Sequence, residues 1–269
     1  MTTPPPSLAA WIDGIALIAP GLPDWPLACA VLRGEQPYQP APSVLPAPSL
    51  LPSAERRRAS RVVKLALALG LAACADAQAD AATLATVFTA SGADGHNCHA
   101  LCEQLAGDDR QISPTRFHNS VHNAAAGYWG IATGATAPCQ VIAGFDASFG
   151  AGLLDALAQV ATLQAAVLLI AYDSEYPQPL HAKRATPDCA GVALLLSPQR
   201  NTSSKGQITL SLSETAPQCC ADSSLENLRQ NIPALRALPL LQHVAERRAG
   251  TCVLDYLPPT QLALGFTPC

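Results

Sequence analysis

Apolar residues along this chain fall in short runs separated by polar or proline-bearing stretches, and the period of each run predicts its element. Ala10–Ile18 reads as a first strand, ended by Pro20-Gly21, and Trp25–Leu32 as a short helix. Residues 34–53 carry Pro37, Pro40, Pro42, Pro46, Pro48 and Pro52 with little periodicity, which predicts an extended surface loop. A helix is expected from Ser53 to about Ala77. Leu65, Leu67, Leu69 and Leu71 alternate as they would in a strand, but the alanines and the length of the segment favour a helix buried on most sides. Leu84–Thr89 reads as a strand and Cys98–Leu105 as a short helix. Ser113-Pro114 opens a further helix, with proline in its first turn, running through Asn123 to about Ile131.

The stretch around which the pattern is organised is Cys139–Leu157. Its apolar run Val141-Ile142-Ala143 predicts a buried strand, Gly144–Ser148 a sharp turn, and the alanine- and leucine-rich remainder a helix through Val160. Such a strand-turn-helix corner sets one side chain at the mouth of a pocket, above the free N–H groups of a helix N-terminus, and is a natural seat for a catalytic Cys or Ser. Beyond it, Ala165–Ala171 reads as a strand and 173–189 as a polar loop. Ala190–Leu196 and Gln207–Leu212 read as strands joined by a polar turn. Leu225–Arg248 reads as largely helical with breaks at Pro233 and Pro239, and Thr251–Tyr256 as the last strand. Strands alternating with helices predict an α/β protein with a mixed sheet layered with helices. No internal repeat is visible.

Composition narrows the class. Of 269 residues, 49% are apolar and only 13% charged, which favours a protein that hides surface against a partner. The formal net charge of −4 gives no reason to expect a nucleic-acid partner. Ten cysteines could form a disulfide framework, but Met1–Pro6 has neither the basic nor the apolar part of a secretory signal, so free thiols in a cytoplasmic protein are expected. No membrane span is expected: Val62–Cys74 is too short, and Leu153–Ala171 carries Asp155, Gln159 and Gln164.

The central stretch resembles the nucleophile turn of β-ketoacyl synthases, of the form V-x-T-A-C-x-[ST]-S-x-x-A. Val141, Gly144, Ser148 and Ala151 fall in register with that family's Val, Ala, Ser and Ala, and Phe145 stands at the position of its nucleophilic Cys. A phenyl ring has no lone pair to attack a thioester, so acyl-enzyme formation there is excluded. Three further segments follow the family's order: the basic Arg56–Arg61, the strand and turn Val87–Gly92, and Ser113, Pro114, Phe117, Val121 and Asn123 in an S-P-x-x-F-x-x-x-V-x-N pattern. The resemblance covers residues 8 to about 200. The family's second-half H-G-T and N-x-F-G-F-G-G motifs are absent, and after His181 the only histidine is His243.

The resemblance implies one ketosynthase-N-terminal-like domain over 1–269, like the N-terminal half of a thiolase-type fold, with a divergent tail at about 200–269. It also implies a truncated chain-length-factor-like subunit, without cofactor, that pairs with an active β-ketoacyl synthase in fatty-acid or polyketide assembly of the aryl-polyene type. Phe145 would then plug or wall the former seat, and Phe117, His118, Val121, Asn123 and Tyr128 would shape an acyl tunnel or interface. Arg57, Arg61 and Lys64, at i, i+4 and i+7 of the expected helix, would meet an acyl carrier protein, whose negative charge would relieve cations set against a helix N-terminus. Two alternatives stand beside this. Asp146–Gly150 is close to a G-x-S-x-G elbow, so Ser148 could serve a hydrolase with His181 or His243; or the chain could be a purely structural partner. His96, Cys98, His99 and Cys102 have metal-like spacing, but no second pair follows, and a structural helix start with no metal is expected.

Overall fold

The computed structural model describes residues 8–269; Met1–Pro6, on which the expected lack of a signal segment rests, lies outside them. In chain order the elements are β1 (Leu8–Ile18), α1 (Trp25–Leu32), α2 (Ser53–Arg58), α3 (Arg61–Asp76), β2 (Ala85–Thr89), α4 (Gly95–Ala106), α5 (Pro114–His118), α6 (Ala124–Thr133) and β3 (Cys139–Ile142). There follow α7 (Ser148–Leu163), β4 (Val167–Asp173), β5 (Ala190–Ser197), β6 (Gly206–Ser213), α8 (Ser223–Asn231), α9 (Leu238–Glu246), β7 (Gly250–Leu254) and β8 (Gln261–Pro268). The eight strands form one mixed sheet in the order β3-β2-β4-β5-β1-β6-β8-β7. β3, β2 and β4 run parallel, and the remaining pairs are antiparallel.

Successive side chains of a strand point to opposite faces, and here both faces are covered. Val167, Leu169 and Ala171 of β4 enter one core with α1, α7, α8 and α9, while Leu168, Ile170 and Tyr172 enter another with α3 and α6. Every residue of β4 and β5 is buried, which is why both read as continuous apolar runs.

Several boundaries differ from the sequence reading for identifiable reasons. The helix expected from Ser53 to Ala77 is two, because Ala59 is extended (ψ 116°) and Ser60 begins α3 afresh. Arg56, Arg57 and Arg58 therefore occupy the last turn of α2, where cations complement the helix dipole rather than oppose it. Asn119 Nδ2 donates to the Arg58 carbonyl (3.1 Å), and this buried amide also interrupts the helix expected over 113–131, which becomes α5 and α6. β5 and β6 are consecutive but not paired, since β1 lies between them. Pro239 sits in the first turn of α9, where its missing N–H costs nothing, and so does not break it. The last strand is β8, not β7; its inward Leu262, Leu264 and Phe266 keep the period of two.

Helix α7 is the central packing element. Gly150 and Gly152 lie two residues apart, about 200° around the helix, and so face nearly opposite sides. A Cβ at Gly152 would come within 2.6 Å of Thr89 Cγ2 on β2, and one at Gly150 within 2.7 Å of the Asp255 carbonyl beyond β7. The helix backbone is clamped between Thr89 of the sheet and the carbonyl of Asp255 in the β7–β8 turn. Gly152→Ala should lower stability by about 1–2 kcal/mol, the overpacking cost less the helix-propensity gain. Adding Thr89→Ser, which removes the nearest methyl and keeps the hydroxyl but leaves the residue 89 Cβ at 2.8 Å, should restore part of it. Urea unfolding of the single and double variants checks this, and a neutral Gly152→Ala would refute the clamp.

Candidate functional site at the strand-turn-helix corner

The parallel strands β2, β3 and β4 end together at one margin of the sheet, and the chain leaving β3 turns there into α7. A single 3-10 turn, Phe145–Ala147, joins them. Phe145 has φ +53°, in the left-handed region that disfavours a residue with a Cβ, so the corner is strained. Ser148 supplies the restraint. Its hydroxyl, 1% exposed as a residue, donates to the Phe145 carbonyl (2.7 Å) and accepts from Gly144 N–H (3.0 Å). The Ser148 carbonyl in turn accepts from the Thr89 hydroxyl (2.7 Å), tying the corner to β2.

Asp173, at the end of β4, forms a second tie that the sequence reading missed. Its Oδ1 accepts from Ser91 N–H (2.8 Å) and the Ser91 hydroxyl (2.5 Å), and its Oδ2 from Ala234 N–H (2.8 Å). Burial pushes this carboxyl up to about 6, against the opposing pull of those bonds and of Arg184. An isolated buried carboxylate with three donors joins β4, the loop after β2 and the turn before α9.

Phe145 itself is 64% exposed and fills no cavity. The Arg184 guanidinium lies 4.1 Å over its ring centroid and bonds Asp146 at 2.6 Å. Arg236 reaches both Asp146 (3.7 Å) and Asp255. Asp255 also accepts from the buried Arg229 (2.6 Å), which forks onto Glu226 at 2.8 Å on each side and holds that carboxyl down at about 2. No single stretch announces this network, because its members come from four separate segments.

The other sequence candidates are placed as follows. Phe117, His118, Val121, Asn123 and Tyr128 come together, with Gly127 and Ile131, along an apolar groove of 510 Å³; Phe145 is not among its lining residues. Phe117, Val121 and Ile131 are exposed, whereas Tyr128 is buried and donates to Asn119 Oδ1 (3.2 Å). β3 pairs only with β2 and its first half is exposed, so the buried strand expected at Val141–Ala143 is an edge strand. Arg57, Arg61 and Lys64 do not share one helix face, because α2 and α3 are separate. Arg61 is engaged internally by Glu175 and Asp188, both at 2.5 Å, while Arg57 is exposed beside a basic groove with Arg58 and Arg116.

His96 faces Glu175 (3.5 Å) and His99 faces Glu103 (3.2 Å), each turned to its own carboxylate. Among the described residues no group of three such side chains is placed to hold a metal, and all ten cysteines are free. His243 Nδ1 lies against the Arg248 carbonyl (3.1 Å), and the Ser148 hydroxyl makes its bonds within the turn, so neither is set up as a nucleophile–base pair. Among the described residues no helix is long and apolar enough to cross a membrane.

The mixed eight-stranded sheet layered with helices is an α/β fold shared with thiolase-like ketosynthases. The sequence model described as "Beta-ketoacyl synthase, N-terminal domain" matches residues 32–252, and the chain belongs to that family. No curated protein sequence matches it. Among solved structures it is similar to a chain of the ketosynthase ApeO in complex with its chain length factor ApeC from Xenorhabdus doucetiae. That match has TM-score 0.70 and 24% identity, covering 96% of this chain and 99% of the other. It is similar also to the ishigamide ketosynthase/chain length factor, with TM-score 0.69 and 13% identity over 97% of this chain and 99% of the other. A third is AntDE:AntF, a type II acyl carrier protein in complex with its ketosynthase, with TM-score 0.75 and 11% identity over 98% and 100%.

The raised Asp173 carboxyl has a signed consequence. A carboxyl at 3.8 unfolded and about 6 folded holds its proton longer in the folded state. Its contribution to stability is therefore complete below pH 3.8 and is lost as pH rises through about 6, by about 3 kcal/mol. Asp173→Asn should be less stable at every pH, since one donor then faces an amide group, but should lack this fall between pH 4 and 6. Denaturant midpoints of both proteins across that range test it; parallel profiles would contradict the assignment.

Proposed function

We propose that the chain is a non-catalytic, chain-length-factor-like subunit that pairs with an active β-ketoacyl synthase of type II fatty-acid or polyketide assembly, in the cytoplasm, where its ten thiols stay reduced. Aryl-polyene-type synthesis is the setting that the sequence resemblance implies, and the similarity to a chain of a ketosynthase–chain length factor complex supports the pairing. The observation that carries the reading is Phe145: the family's corner is built, strained and hydrogen-bonded, and the side chain it presents cannot be acylated. Condensation would then be the partner's chemistry.

The partner-facing surface fits this reading. β3 offers an unpaired strand edge, and Phe117, Val121, Ile131 and Phe145 are among the large apolar groups that the chain leaves exposed. The groove with Phe117, His118, Val121, Asn123 and Tyr128 would help bound the growing chain. Arg57, with Arg58 and Arg116, is the stronger candidate for meeting an acyl carrier protein, since Arg61 is engaged and Lys64 lies on the other helix. The serine-hydrolase alternative is weakened by the buried, doubly bonded Ser148 hydroxyl.

Tagged chain recovered from its host should bring down, in near-equal amount, a ketosynthase carrying the nucleophilic Cys and both catalytic His. A stable monomer with no such partner would overturn the proposal. In the reconstituted pair, Phe117→Ala should change product length while the partner's condensation rate changes less than about threefold. Unchanged products would favour the purely structural alternative. A fluorophosphonate should leave Ser148 unlabelled in the isolated chain, and labelling there would revive the hydrolase.

A further inference from the structure

The charged groups around the corner are balanced, three arginines against three carboxylates. Arg184 pairs with Asp146, Arg236 with Asp146 and Asp255, and Arg229 with Asp255 and Glu226. No positive charge is left over, so the cluster is not built to receive an anion. Its outer end is the flat face of a phenyl ring: Arg184 Cζ stands 4.1 Å from the Phe145 centroid, within cation–π range. The inner end is the first turn of α8, where Asp222 caps the helix by accepting from Ser224 and Leu225 N–H and Glu226 accepts from Cys220 N–H (2.8 Å). Rigid elements thus brace a largely buried arginine whose guanidinium lies over the Phe145 ring.

A ring that merely filled an abandoned pocket would be buried and would need no such brace. Phe145 is exposed; Ser148 already restrains its disfavoured φ, and what lies over the ring itself is the Arg184 guanidinium. We infer that Arg184 is a positioning residue that holds the Phe145 ring outward, as a fixed apolar contact for the acyl chain in the proposed complex. Asp146 aims Arg184, and Arg236, Asp255 and Arg229 fix Asp146. The acyl-contact part rests on the chain-length-factor reading, whereas the positioning part concerns the isolated chain.

The test separates the two. With 4-fluorophenylalanine in place of the five phenylalanines, the chain gives five fluorine resonances, and Phe145 is assigned by its loss in Phe145→Leu. Arg184→Gln should move and narrow that resonance alone, and Arg184→Lys, which keeps the charge but not the planar face, should move it part of the way. Asp146→Asn should give the same direction by freeing Arg184, and serves if Arg184→Gln does not fold. A Phe145 resonance unmoved in folded Arg184→Gln or Asp146→Asn overturns the positioning role. In the reconstituted pair, Arg184→Gln should broaden the product-length distribution without weakening association with the synthase. A moved resonance with unchanged products overturns the acyl contact. Failure of the wild-type chain to bind any synthase overturns the functional reading and leaves the resonance result to stand.

Discussion

A helix enclosed on two sides can approach its neighbours only as closely as its side chains permit, and α7 resolves this by removing them. Gly152 lets the Thr89 side chain of β2 lie directly against the helix backbone, and Gly150 does the same for the carbonyl of Asp255. Because the two glycines point to nearly opposite sides, one helix holds the parallel strands to the β7–β8 turn. This fixes where α7 begins, and hence where the corner with Phe145 and Ser148 stands. It also brings Asp255 within reach of Arg229 and Arg236, so the charge network exists because the packing permits it.

The periods of the chain made most of this architecture legible. β4 and β5 are covered on both faces, and their continuous apolar runs said so; α1 and β1 were bounded nearly to the residue. The misreadings have separate causes. The break between α2 and α3 depends on Asn119 reaching the Arg58 carbonyl from 61 residues away, and no local propensity reports that. β3 looked buried because its composition is apolar, yet burial depends on a neighbour on each side, and among the described residues β3 has one only on the β2 side. β8 was overlooked although Leu262, Leu264 and Phe266 alternate, since Gly265 and Pro268 weaken the signal of a strand.

For the site, the family's register located Phe145 and Ser148 correctly at the corner but could not say which way the ring faces. The groove with Phe117, Val121 and Tyr128 was legible as a cluster because those residues sit on two successive short helices and the turn between them. Asp173, Arg184, Arg236 and Asp255 were not legible, because each lies in a segment whose own pattern is ordinary. Asp173 ends an apolar strand, as many polar residues do. Only the fold reveals that it accepts from Ser91 on one side and Ala234 on the other.

The corner keeps its shape with a phenyl ring at position 145, and the reason lies in where its bonds are made. Ser148, Thr89 and Gly144 restrain backbone groups of the turn, and none of these bonds involves the side chain at position 145. A strained conformation held in this way is indifferent to whether a thiol or a phenyl ring stands on it. What does depend on the ring is Arg184, whose guanidinium could be solvated freely but instead covers one face of Phe145 while Asp146 holds it. Backbone restraint thus preserves the seat, and side-chain restraint decides what the seat presents. The two can be altered separately, which is the condition for a fold to give up one function and take on another.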